Sequence, residues 1–171
     1  MNIKTAHAIL LPAATALISD KRLVTPGAFA MVHAIALQES DYQSRQQLIG
    51  NHRNWWESLK GPAVSLWQFE DIGIREVLRN PASRRQALAV LDALGYPEHL
   101  PTIREAMKHN DLLAAAFARL ALWRHPDPLP ARNESERAWQ YYLKIWAPGK
   151  PSPQRWAERY ALAWSVVAGE L

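Results

Sequence analysis

The chain has 171 residues, enough to bury one core, and its 49% apolar and 21% charged residues are those of a globular protein rather than a disordered one. Cysteine is absent, which excludes disulfides, thiolate zinc sites, iron–sulfur clusters and cysteine nucleophiles. The net charge of +4 and a sequence pI near 9.6 suit a polyanionic partner (nucleic acid, membrane or bacterial wall) without choosing among them.

In chain order the sequence reads as a succession of helices within one domain spanning residues 1–171. Lys4 precedes an apolar run, Ala6 to Ile18, that is too short to span a bilayer. It reads as an amphipathic first helix, with a weak signal peptide as the competing reading. Thr25-Pro26 is a helix start: a hydroxyl cap before a proline at the first helical position. The apolar positions Phe29, Val32, His33, Ile35, Ala36 and Leu37 carry that helix to Glu39. Residues 41–62 are polar and irregular and read as a long loop of the kind that often binds ligands. Val64 to Phe69 reads as either strand or helix. Asn80-Pro81 opens a helix that runs to Leu94 and stops at Gly95, and another helix runs from Thr102 to His109. Asn110 caps a helix from Asp111 to Trp123, which ends before Pro126 and Pro128. Asn133 with Glu136 resembles a capping box for a helix from Ala138 to Trp146. A turn at Ala147 to Pro151 leads to a last helix, Arg155 to Ala168. The expected fold class is all-α.

Several chemistries find no support. No Gly-rich phosphate loop, dinucleotide fingerprint, His-Glu-x-x-His pair or nucleophile elbow is present. The six histidines have no metal-ligand spacing, so no metal and no cofactor are expected. The Arg84-Arg85 pair reads as a solvated helix face, so no nucleic-acid contact is expected either.

Glu39 carries the chemistry that remains. A carboxyl at the end of an apolar helix meets the negative end of the helix dipole, and its apolar neighbours penalise the ionised form. Both effects hold its proton to higher pH, as a general acid for glycosidic cleavage requires. The segment Gly61-Pro62-Ala63-Val64-Ser65-Leu66-Trp67-Gln68-Phe69-Glu70 follows. With the Glu39-Ser40 pair it resembles the lysozyme-like superfamily, specifically the lytic transglycosylases, which close a helix with Glu-Ser and carry a Gly-x-x-Gly-Leu-x-Gln segment beside the cleft. A set of phage-associated proteins of that superfamily is more similar still. Their features are matched here by Gln38 to Ser40, Gly61 to Glu70, Ala118 to Pro128 and Trp146 to Pro151, so the resemblance spans residues 30–165. The chain departs from the transglycosylase pattern at two places. Ser65 stands at the second glycine, and Ala116-Phe117-Ala118-Arg119 replaces an Ala-Tyr-Asn motif whose polar residues help hold substrate.

The resemblance implies a compact lysozyme-like helical domain that cleaves the glycan strands of peptidoglycan as a transglycosylase or muramidase. Glu39 would be the catalytic acid and base, with Ser40, Trp67, Gln68, Glu70 and Arg119 binding the substrate. A hydrolase of inverting type would need a second carboxylate, for which Glu70, Asp71 and Asp41 are the candidates. Arg119 is the one charge between Leu112 and Trp123, on a helix apolar nearly all round, so it is expected either to pair with Glu39, Glu70 or Asp71 or to snorkel to water. Trp55, Trp56 and Trp67 lie where sugar rings would stack, whereas Trp123, Trp139, Trp156 and Trp164 sit on helices and read as core. The alternative is a catalytically weak or inactive lysozyme-fold protein serving as a structural or adaptor component of a virion, with other virion components as partners. No membrane span is expected. The implied setting is the cytoplasm of the producing cell or the virion, acting on the bacterial wall, with secretion by a weak signal peptide left open.

Overall fold

The computed structural model describes residues 1–49, 59–148 and 152–171. These are mostly helical, as the apolar periodicity requires, with one small antiparallel hairpin. The first helical stretch comprises α1 (Ile3–Thr5), a widened π-turn (Ala6–Leu10) and α2 (Leu11–Ala16). Pro12 explains the widening: it lacks an N–H, and its ring crowds the carbonyl four residues back. The stretch buries Ala6, Leu10, Leu11 and Ala14, so residues that could mimic a leader are here part of the core. No helix among the described residues is long and apolar enough to cross a membrane.

Helix α3 (Pro26–Glu39) starts as the sequence indicates, with Pro26 in the first turn and the Thr25 hydroxyl accepting from the Ala28 N–H. It is buried from Ala30 to Leu37 without a polar face, which makes it the central helix of the fold. Around it pack α7 (Asp111–Trp123) and α9 (Trp156–Val167). Helix α7 has the predicted bounds, and the Asn110 side chain accepts from the Leu113 N–H as its cap. Helix α8 (Ser135–Trp146) lies against α9. Its cap position is Glu134, not the expected Asn133, and the Glu134 carboxylate accepts from the Ala131 N–H instead of closing a capping box.

Three further expectations are corrected. The segment read as a long loop contains β1 (Gln46–Ile49), which pairs antiparallel with β2 (Leu59–Val64) through Gln46↔Val64 and Leu48↔Lys60. Its polar composition hid a hairpin whose pairing is made by the backbone rather than by an alternating apolar face. Helix α4 (Asp71–Arg79) was not anticipated; it is held by one narrow stripe, Ile74, Val77 and Leu78. Helix α5 (Arg84–Ala93) begins after Asn80-Pro81, because the Asn80 side chain accepts from the Ala82 N–H and closes a turn first. It ends as expected before Gly95, whose φ of +72° suits the left-handed cap. Helix α6 (Leu100–Ala106) completes the set and packs on α4.

Candidate functional site

Glu39 is the last residue of α3 and is half-buried. The Tyr142 hydroxyl, from α8, donates to its Oε1 at 2.6 Å. Burial pushes the Glu39 carboxyl up from 4.5 to about 7; the Tyr142 hydrogen bond pulls the other way, and the negative charge of Glu70 adds to the rise. A substantial fraction of Glu39 therefore keeps its proton at neutral pH. Tyr142 is itself raised by burial and by the neighbouring carboxylate. Its ring stacks on Trp156 at 5.1 Å and lies 5.2 Å from Trp139, so an α8–α9 aromatic ladder aims the hydroxyl at the acid.

The turn after Glu39 is tied to the segment that follows β2. The Ser40 hydroxyl donates to the Leu66 carbonyl at 2.7 Å, and the Trp146 indole N–H donates to the Trp67 carbonyl at 2.8 Å. Four residues around this junction hold left-handed backbones without being glycine: Asp41 (φ 53°), Tyr42 (60°), Ser65 (72°) and Gln68 (51°). Such conformations cost roughly 1–3 kcal/mol each and persist only where the surroundings impose them. The Ser65 backbone has the φ that favours glycine.

The expected site residues divide. Glu39, Ser40 and Glu70 come together: Ser40 fixes the turn, and the exposed Glu70 stands at the N-cap position of α4 without a side-chain capping bond. Of the three carboxylates weighed as a second acid or base, Glu70 is the one whose charge is felt at Glu39. Asp71 instead pairs with Arg104 at 3.2 Å, and Asp41 is exposed on the strained turn. Gln68 spends its amide N–H groups on the Ser65 and Ser44 carbonyls, at 2.7 and 3.2 Å, and serves the turn rather than a ligand.

Trp67 is corrected. It is fully buried, its indole N–H donates to the Val32 carbonyl at 2.9 Å, and no face is open to a sugar. Arg119 is corrected too. It is buried, but its guanidinium donates to the Leu23 carbonyl and lies 5.9 Å from the Trp123 ring, with no carboxylate partner among the described residues. Burial lowers its pKa to about 10. Leu23 precedes α3 and Glu39 ends it; 14 helical residues separate the two ends by about 20 Å, so Arg119 is remote from the acid. Trp139 and Trp156 are core, as expected, while Trp55 and Trp56 lie outside the described residues.

Sequence reasoning missed Tyr142, Gln38 as a side chain, and Arg159. The Gln38 amide donates to the Ser152 carbonyl and accepts from Arg159 Nη1, both at 2.8 Å, pinning the end of α3 to α9. The one available signal was the spacing of Trp139 with Tyr142 and of Trp156 with Tyr160, which reads as packing until the neighbouring helix is in place.

A concavity of about 630 Å³ opens beside Glu70 and is lined by Pro62, Asp71, Ile72, Arg104 and Glu105, while Glu39 is outside its lining. Another, of about 520 Å³, lies between the first helices and the start of α7, among Ile9, Leu10, Tyr96 and Leu112. Among the described residues no group of three or more potential ligands is placed to hold a metal. No family model matches the chain, and neither a curated protein nor a solved structure matches it.

Proposed function

We propose that this chain cleaves the glycan strands of peptidoglycan, with Glu39 as the general acid. The observation that carries the reading is a helix-terminal carboxyl held protonated to about pH 7 and oriented by a buried tyrosine. The strained backbone around the Glu39 turn, the left-handed Ser65 at the position of a family glycine, and the basic net charge support it.

Glu39 donates its proton to the glycosidic oxygen linking N-acetylmuramic acid to N-acetylglucosamine, and the C–O bond to the leaving sugar breaks. In a transglycosylase the resulting carboxylate then takes a proton from a hydroxyl of the muramic acid itself, which closes an anhydro ring, so one carboxyl suffices. In an inverting hydrolase the attacking group is water, and its proton goes to a second carboxylate about 6.5–9.5 Å away, a role that falls to Glu70.

The test is zymography on purified peptidoglycan with mass analysis of the products. Anhydro ends identify a transglycosylase and reducing ends a muramidase, in which loss of activity in Glu70→Gln identifies the second carboxylate. Glu39→Gln is expected to keep the fold and lose about 10²-fold or more in activity, since an amide cannot donate an acidic proton. Absence of clearing by the parent protein, or undiminished clearing by Glu39→Gln, overturns the reading. The first outcome leaves a structural protein of the same fold.

A further inference from the structure

Among the described residues, Arg159 is the cation whose charge is felt at Tyr142, the acid's hydrogen-bond partner, and the proposed cleavage gives it no role. It lies on α9, half-buried, and its positive charge is felt at the Tyr142 hydroxyl. Its Nη1 donates to the neutral amide oxygen of Gln38 at 2.8 Å, and no carboxylate pairs with it among the described residues. Its Nε–H is buried and has no acceptor among them. Most of the other arginines among the described residues are spent on carboxylates, as Arg45 on Asp111, Arg84 on Glu98, Arg124 on Glu76 and Arg132 on Glu170.

A guanidinium that is partly dehydrated and lacks an anion is held at a cost, and a planar carboxylate relieves it by two parallel hydrogen bonds. Gln38 holds the fork in place from α3, one residue before Glu39. The unsatisfied cation and the proton donor are thus fixed by neighbouring residues of one helix end.

We propose that Arg159 binds a carboxylate of the substrate and so makes the site prefer muramic acid over its uncharged derivatives. The inference rests on peptidoglycan being the substrate. Two sources offer that carboxylate: the lactyl group of muramic acid where no peptide is attached, and the stem peptide where one is.

Calorimetric titration of the full chain with three monosaccharide probes separates these cases: N-acetylmuramic acid, its lactyl methyl ester, and muramyl dipeptide, whose lactyl group is amidated and whose free carboxylate is on the peptide. The acid is expected to bind about tenfold or more tightly than the ester, and Arg159→Met to erase the difference. Dipeptide binding at the strength of the acid assigns the contact to the stem; binding at the strength of the ester assigns it to the lactyl group. Equal binding of all three, no binding of the acid at millimolar concentration, or an unchanged preference in Arg159→Met overturns the proposal. Should Arg159→Met fail to fold, the parent protein still decides. Its Arg159 Nε–H resonance, identified by its loss in Arg159→Lys, must move with a carboxylate-bearing probe and stay in place with the ester. Clearing of peptidoglycan without carboxylate preference defeats this inference alone, and preference without clearing defeats the lytic reading alone.

Discussion

Glu39 makes the stability of the fold depend on pH in a direction that can be worked out beforehand. Its carboxyl rises from 4.5 to about 7 on folding, chiefly by burial. The folded state therefore holds the proton more tightly than the unfolded chain. This contribution to stability is fully present below about pH 4.5 and is lost as pH rises through about 7. Taken at full strength the shift is worth about 3 kcal/mol, and about 2 kcal/mol once the partial exposure of the side chain is allowed for. Glu39→Gln removes the ionisation while keeping the shape and an oxygen to accept from Tyr142. Urea denaturation of both proteins at pH 4 and pH 8 is the assay. The variant should match the parent at pH 4 within about 0.5 kcal/mol and exceed it by about 2 kcal/mol at pH 8. Tyr142→Phe, measured against its own Glu39→Gln double variant, should widen the gap between the two pH values, because the lost hydrogen bond had favoured the ionised form. Glu70→Gln should narrow it by removing a like charge. A Glu39→Gln effect of the same size at both pH values refutes the claim that burial holds the proton.

Trp67→Ala should cost about 3–5 kcal/mol in denaturant titrations, the scale of an emptied aromatic site, whereas a sugar-stacking tryptophan at the surface would cost little. Arg119→Met should change stability by less than about 3 kcal/mol, since the loss of the donor to the Leu23 carbonyl is offset by removal of a buried cation whose Nη1 lacks a partner among the described residues. The change should be equal at pH 4.5 and pH 8; a loss rescued by acid would show that a carboxylate partners Arg119 after all.

Local sequence signals sufficed where the determinant is local. The Thr25-Pro26 start, the Asn110 cap and the stop at Gly95 each depend on a few consecutive residues whose backbone preferences are their own. The burial of α3 was legible as well, because a helix whose middle is apolar on every side but for His33 has no face to give to water. The same run led to Glu39 as a carboxyl in apolar surroundings, and its raised pKa follows from that composition. What depends on partners distant in sequence was not legible. The β1–β2 pairing joins Gln46–Ile49 to Leu59–Val64, neither of which alternates apolar with polar residues, so no periodicity announces it. Helix α4 shows only three buried positions in nine residues and passes for an irregular stretch. Trp67 beside the cleft and Trp67 in the core have the same neighbours in sequence; the Val32 carbonyl 35 residues away decides between them. For Arg119 the sequence left pairing and snorkelling open; it is buried, but its partner is a main-chain carbonyl, which any residue carries and no sequence pattern marks. Tyr142 reaches Glu39 across 103 residues, and Arg159 reaches Gln38 across 121. One helix end supplies the acid, but its hydroxyl partner and the neighbouring cation come from α8 and α9, and only their packing against α3 brings these groups together.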